Sequence, residues 1–190
     1  MPPRSELTKA DVSSAAFELV RQQGFEAVTA RNVATAIGCS TQPIYSLYAN
    51  IDELKSDVYD QAAVFARECM LDCRDDGNSP ALNVAIGFLR FAQEEKQLFR
   101  TLYLSGYKTY NPHTDQFLAE QLTTRSLRHS KRLRDASDEQ LKRIFLKLMI
   151  YMIGIGTLLN TRTLELDMGE AIGMVREMYE MLLRQEGLAD

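Results

Sequence analysis

Residues 29–48 read TARNVATAIGCSTQPIYSLY, and this stretch decides the fold of the N-terminal part of the chain. Its apolar positions have the spacing of two short helices that cross steeply. Ala34 supplies a small side chain where the two backbones approach. Gly38, four residues later, tolerates the positive φ that a tight turn needs. Ile44 falls on the inner face of the second helix, against Val33. The spacing therefore predicts a helix-turn-helix.

If the second helix is anchored through Ile44, its remaining side chains face outward. They are short, polar or aromatic, and such groups can meet base edges or phosphates when a helix enters the major groove of duplex DNA. The expected helix starts at Thr29 and Ser40 can hold phosphate through backbone N–H groups. The outward residues are Thr41, Gln42, Pro43, Tyr45 and Ser46.

The rest of the chain carries the 3.6-residue period of helices and lacks an alternating run long enough for a half-buried strand. About nine helices are expected, one of them over residues 113–134, which makes the fold all-α. Helix starts are marked by cap sequences that can satisfy free backbone amides. These are Thr8–Asp11, Thr29, Ser40, Asn50–Glu53, Ser79-Pro80, Ser137–Gln140 and Asp167–Glu170.

Composition limits the class of protein. The chain has 190 residues, of which 45% are hydrophobic and 25% are charged, as in ordinary globular proteins. The net charge is −4, so no overall positive charge favours nucleic acid. Three cysteines cannot form a closed disulfide framework, and the N-terminus lacks the apolar stretch of a signal peptide. We expect a cytoplasmic protein.

The apolar run Phe145–Leu159 is too short for a membrane span, which needs about 20 residues. A helix that is apolar on nearly every side must still be covered on nearly every side. The last helix has two apolar stripes, one more than its own core requires. We therefore expect a homodimer built from these two helices; both stripes could instead be core. The candidate interface residues are Gly154, Gly156, Met174, Met178 and Met181.

The N-terminal quarter resembles the TetR family of transcriptional regulators. That family has a glycine and an aromatic residue after the first helix, then a threonine, an Ala-x-x-x-Gly helix, an Ile/Leu-Tyr pair, a further aromatic residue and an acidic start to the fourth helix. The matching residues are Gly24-Phe25, Thr29, Ala34, Gly38, Ile44-Tyr45, Tyr48 and Asp52-Glu53-Leu54. The resemblance implies DNA-facing roles for Thr29, Arg31, Thr41, Gln42, Tyr45 and Tyr48.

One position departs from the family pattern. Where the family usually has a lysine that contacts backbone phosphate, this chain has Ile51. Either the N-terminal amides of the fourth helix replace that contact or the contact is absent. Loss of one phosphate contact would weaken DNA binding and its salt dependence without abolishing it.

The resemblance also implies a domain division, with a DNA-binding domain over residues 1–50 and a ligand-binding and dimerisation domain over 51–190. The family has an effector pocket in the second part, where aromatic and methionine side chains suit an apolar or aromatic molecule. Core residues have the same composition, so each candidate also fits simple packing. The candidates are Phe65, Cys69, Phe88, Phe91, Phe99, Tyr103, Met149 and Met152.

Catalytic and metal-binding patterns are absent from the sequence. It has no phosphate-binding glycine loop, nucleophile elbow or zinc-protease spacing. Cys69 and Cys73 are four residues apart, but no further ligand accompanies them, so neither a metal nor a cofactor is expected. We expect a one-component regulator that acts as a repressor on palindromic operator DNA, as a homodimer, and is released by a small apolar or aromatic effector. The alternative is an all-α small-molecule-binding protein that has lost DNA binding.

Overall fold

The computed structural model describes residues 7–111, 115, 120 and 133–188. In these residues the chain forms eight α-helices and no strand, which confirms the all-α prediction. Most of the helix expected over residues 113–134 lies outside the described residues. The helices are α1 Lys9–Gln23, α2 Ala30–Ile37, α3 Gln42–Leu47, α4 Ile51–Asp72, α5 Pro80–Glu94, α6 Lys96–Tyr103, α7 Asp138–Thr161 and α8 Met168–Gln185; a short 3₁₀ helix, Phe25–Ala27, follows α1.

Local capping chemistry sets most helix starts where the sequence predicts them. α1, α7 and α8 begin with complete capping boxes at Thr8, Ser137 and Asp167. Ser79 accepts a hydrogen bond from the Leu82 amide at the start of α5. Ser40 is different, because α3 begins one residue later than expected and its N-cap residue is Thr41, which makes no side-chain cap. The prediction that Ser40 caps this helix is wrong.

The chain divides into two compact units, and the division falls between Phe65 and Ala66, inside α4. The first unit contains α1, α2, α3, the first part of α4 and the segment Lys96–Lys108, which includes α6. Its helices pack through apolar side chains that are fully or almost fully buried. These are Val12, Ala16, Val20, Val33, Ile44, Leu54, Val58, Leu98 and Phe99.

The second unit comprises Ala66–Glu95 and the described residues from Thr109 onward. Within it α5, α7 and α8 pack against one another. Gly87 brings α5 very close to the end of α4, since a Cβ at this position would lie 2.7 Å from both the Cα and the carbonyl oxygen of Met70. The buried Asn160 side chain donates a 3.0 Å hydrogen bond to the carbonyl oxygen of Ala92. This amide links α7 to α5.

Helix α7 is the described helix that is long and apolar enough to cross a membrane by length and composition alone. Half of its most apolar window is buried within the protein. The core helix of a soluble protein has the same properties, so this observation is weak support for a membrane span.

Candidate functional site

The turn between α2 and α3 has the geometry that the sequence predicts. Gly38 adopts a left-handed conformation, with φ 78° and ψ 36°. Its amide and that of Cys39 donate to the carbonyl oxygen of Ala34 at 2.9 and 3.0 Å. These bonds satisfy the end of α2, and the left-handed residue redirects the chain toward α3. Gly38 thereby sets the angle at which α3 leaves the turn.

Helix α3 is held on one face and open on the other. Ile44 is buried, as are Val33 and Ala34 on α2. The opposite face of α3 carries Gln42 and Tyr45, and the ring-bearing side chain of Tyr45 is 55% exposed. A six-residue helix anchored through one isoleucine therefore presents a polar and aromatic surface to solvent.

Most of the predicted DNA-facing side chains lie on this exposed surface or beside it. Pro43 is half-buried, and two of the hydroxyls already make hydrogen bonds within the protein. Thr29 accepts a hydrogen bond from the Asn32 amide, and Ser46 donates one to the carbonyl oxygen of Gln42. The exposed candidates are Thr29, Arg31, Ser40, Thr41, Gln42, Tyr45 and Ser46.

Tyr48 does not belong to that surface, and its predicted DNA-facing role needs correction. Its side chain is only 1% exposed. The hydroxyl donates a 3.2 Å hydrogen bond to the carbonyl oxygen of Lys9 on α1, and the Lys9 ammonium lies 4.7 Å from the ring centre. Burial, followed by the nearby Asp57 carboxylate, raises the pKa of Tyr48 to about 12. The residue fixes the end of α3 against α1.

The start of α4 is organised by Glu53. Its carboxylate accepts a 2.7 Å hydrogen bond from the Ala49 amide and forms a 2.7 Å ion pair with Lys9. The hydrogen bond from Lys9, followed by that from the Ala49 amide, lowers the pKa of Glu53. Asn50 caps the helix by accepting a hydrogen bond from the Glu53 amide at 2.9 Å. Ile51, at the position where the family that the N-terminal motif resembles usually has a lysine, is half-buried at this end of α4.

The segment after α6 packs against the first part of α4, an arrangement the sequence does not reveal. The ring of Tyr107 packs edge-on against Phe25, with 4.8 Å between centroids, and lies 5.4 Å from the ring of Tyr59. Lys108 forms a 2.6 Å ion pair with Asp60. These contacts all lie within the first unit.

The second unit encloses a cavity of about 330 Å³. Its described wall comes from the end of α4, the loop before α5, and helices α5, α7 and α8. Most of the wall is apolar, and the polar side chains come from the loop and from α8. The wall residues are Met70, Gly77, Asn78, Ser79, Ala81, Leu82, Val84, Ala85, Phe88, Phe145, Leu148, Met149, Met152, Val175, Arg176, Tyr179 and Glu180.

Three of the eight predicted pocket residues, Phe88, Met149 and Met152, line this cavity. Cys69 and Phe91 belong to the same unit but do not line the described wall. Burial raises the pKa of the Cys69 thiol. The other three predicted residues belong to the first unit and do not line the cavity; they are Phe65, Phe99 and Tyr103.

Comparison with solved structures identifies the architecture. A TetR-like transcriptional regulator from Rhodococcus sp. RHA1 is similar over 98% of this chain and 100% of its own, with 16% identity and a TM-score of 0.62. A TetR-family regulator from Streptomyces coelicolor matches 95% of this chain and 80% of its own, with 12% identity and a TM-score of 0.64. The chain has the fold of TetR-family transcriptional regulators.

A further TetR-like structure is AlkX from Dietzia sp., a TetR family repressor implicated in biodegradation of n-alkanes. It shares 20% identity over 96% of this chain and 98% of its own, with a TM-score of 0.55. No protein-family model and no curated protein sequence matches the chain. The TetR-like architecture is therefore detected through structure and through the N-terminal motif.

The predicted dimer residues of this TetR-like chain fall into two groups. Gly154 on α7 is exposed, and Met181 on α8 is 60% exposed. Met174 and Met178 are half-buried on the same helix. Gly156, in contrast, is buried in the core of its own unit, so its predicted place at a dimer surface is wrong. Ile150 on α7, which is not among the predicted interface residues, is 64% exposed.

Among the residues that the structure describes, no three or more His, Cys, Asp or Glu side chains are grouped so that they could hold a metal ion. The three cysteines, Cys39, Cys69 and Cys73, are free thiols.

Proposed function

We propose that this chain is a one-component transcriptional regulator without enzymatic activity. It represses transcription by binding palindromic operator DNA as a cytoplasmic homodimer. The observation that carries the proposal is the exposed face of α3. Ile44 anchors this helix, while Gln42 and Tyr45 point away from the core. A short helix held in this way can place its side chains against base edges in the major groove.

A homodimer accounts for a second set of exposed side chains. Lys147 on α7 contacts Gln185 on α8 at 2.9 Å, and Arg143 pairs with Glu186, so these helices lie side by side. Further along them, Ile150 and Met181 are exposed apolar residues. Two helices from each chain would cover these side chains in an isologous four-helix interface.

The cavity of the second unit supports a response to a small apolar or aromatic effector. Ligand sites in proteins are concave and mostly apolar, with a few polar groups that fix orientation. An effector that binds better to the conformation with low DNA affinity shifts the equilibrium toward that conformation. Effector and operator then compete through one conformational equilibrium.

Fluorescence anisotropy with labelled DNA from the region upstream of the protein's own gene tests the proposal. We expect saturable binding that competitor DNA of unrelated sequence does not remove. Tyr45→Ala should weaken binding by about 1–3 kcal/mol if the ring contacts a base edge. Gln93→Ala, an exposed change on α5, is the matched control and should bind like the wild type. Absence of specific binding to upstream DNA would contradict the proposal.

A small-molecule-binding protein without DNA affinity is the second candidate. It is favoured by Ile51 in place of the family's lysine and by the pairing of Lys9 with Glu53, which reduces the positive charge available to phosphate. The variant Ile51→Lys distinguishes the two candidate functions. A regulator that lacks one phosphate contact should gain DNA affinity, and its DNA binding should become more dependent on salt. A chain that has lost DNA binding for other reasons should gain neither.

A further inference from the structure

Small residues on α5 and in the loop before it form part of the wall of the cavity in the second unit. Ala81 and Ala85 lie one turn apart on α5 and both belong to the wall. Gly77 contributes a third small residue from the loop before this helix. A leucine at Ala81 or Ala85 would project into the space, because residues at i and i+4 share a helix face. The space therefore depends on side-chain choice along a single face of α5.

The wall of this cavity has a buried apolar part and a polar part near solvent. Its deeply buried members are large and apolar, such as Met70 and Phe88, each 1% exposed. Its polar members are the ones that reach solvent. Ser79 and Arg176 are exposed, and Asn78 is half-buried. A ligand in this cavity would keep its apolar part inside and its polar part at the solvent side.

Arg176 supplies the positive charge of the described wall. No ion pair or hydrogen bond joins its side chain to another described residue, whereas Tyr179 and Glu180 beside it have interactions of their own. A guanidinium presents paired N–H donors that match the two oxygens of a carboxylate. Its position at the solvent side also avoids the high cost of burying an ionised group.

We propose that the cavity binds an apolar monocarboxylate, with the hydrocarbon or aromatic part among Met70, Phe88 and Met149 and the carboxylate on Arg176. The inference rests on the proposed function in one respect, namely that this ligand would be the effector. The cavity volume, about 330 Å³, lies at the lower end of the range for small-molecule sites. A neutral apolar ligand would form no ion pair with Arg176, whereas a carboxylate would, so the guanidinium favours an acid over the corresponding neutral molecule.

Calorimetric titration of the intact protein tests this assignment. The probes are decanoate and decanol, and naphthoate and naphthol, which share an apolar part within each pair. We expect each carboxylate to bind roughly tenfold more tightly than its alcohol, the effect of one charge-assisted contact. Arg176→Gln should remove this preference and leave the affinity for the alcohols unchanged. Arg184→Gln, an exposed arginine on the same helix outside the wall, should leave all affinities unchanged.

A second variant tests the location of the apolar part. Ala85→Leu fills space within the wall, so the fold should persist while the affinity for all probes falls at least roughly tenfold. Ala81→Leu repeats the test one turn away. Equal affinity for acid and alcohol, unchanged preference in Arg176→Gln, or unchanged binding in both filled variants would overturn the inference.

Failure of this inference is distinguishable from failure of the proposed function, because the titration contains no DNA. Carboxylate binding that depends on Arg176 in a protein without operator affinity upholds the cavity assignment and overturns the regulator. Operator binding in a protein that does not prefer carboxylates overturns the cavity assignment alone. When both hold, decanoate should release the labelled operator from the wild type at lower concentration than from Arg176→Gln.

Discussion

The two compact units use side-chain size in opposite ways. In the first unit, large side chains fill the space between the helices. Ile44 and Tyr48, for example, are almost fully buried. In the second unit, Ala81 and Ala85 face a cavity of about 330 Å³. A helix that must present side chains at fixed positions needs close packing behind it. A site that admits a ligand needs space, and small residues on one helix face provide it.

In the first unit, the largest difference in unfolding free energy should be between substitutions of two tyrosines that are three residues apart. Tyr48→Ala removes a buried ring and should cost about 3–5 kcal/mol of unfolding free energy. Tyr45→Ala removes an exposed ring and should change stability by less than about 0.5 kcal/mol while weakening DNA binding. Urea denaturation followed by circular dichroism measures both. Equal destabilisation by the two substitutions would contradict the division of α3 into an anchored and an open face.

Two glycines extend the comparison to the second unit, where close packing also occurs away from the cavity. Gly87→Ala places a methyl group 2.7 Å from backbone atoms of Met70, so it should cost about 1–3 kcal/mol. Gly173→Ala adds its methyl where no atom beyond the neighbouring part of its own helix is found within 4 Å, and it should stabilise α8 by about 0.5–1 kcal/mol. Thermal unfolding distinguishes them by the sign of the change. A stabilised Gly87→Ala variant would mean that α4 and α5 are further apart than described.

The sequence predicts features that depend on neighbouring residues. Caps at Thr8, Ser79 and Ser137 act within three residues, and the left-handed turn is determined by Gly38 itself. Such interactions recur wherever the local pattern recurs. This is why the all-α fold, most helix starts and the turn before α3 could be predicted.

Features that depend on distant residues could not be predicted in this way. Tyr48 is buried because its hydroxyl meets a carbonyl oxygen 39 residues earlier in the chain, at Lys9. The cavity wall combines Ala81 with Arg176, which lie far apart in sequence. The pattern of large apolar and aromatic residues indicates neither of them, because the alanines provide space and the arginine provides charge. Small residues at i and i+4, such as Ala81 and Ala85, were the available signal.

The smallest expected effect concerns pH and the ion pair that joins α1 to the start of α4. Because Lys9 lowers the pKa of Glu53, the folded state favours the ionised carboxylate. The pair therefore contributes stability above the ordinary value of about 4.5, and this contribution is lost as the pH falls through the lower folded pKa. The effect should be small, since both side chains are substantially exposed.

Comparing Glu53→Gln with the wild type isolates this contribution. The amide keeps an acceptor for the Ala49 amide but removes the charge that Lys9 meets. The stability difference between the two proteins should be present at neutral pH and should shrink as the solution is acidified below about pH 4.5. Glu26→Gln, an exposed change in the same unit, is the control. A difference that stays constant across the acid range would show that Glu53 acts through hydrogen bonding alone, and that its charge does not couple α1 to the start of α4.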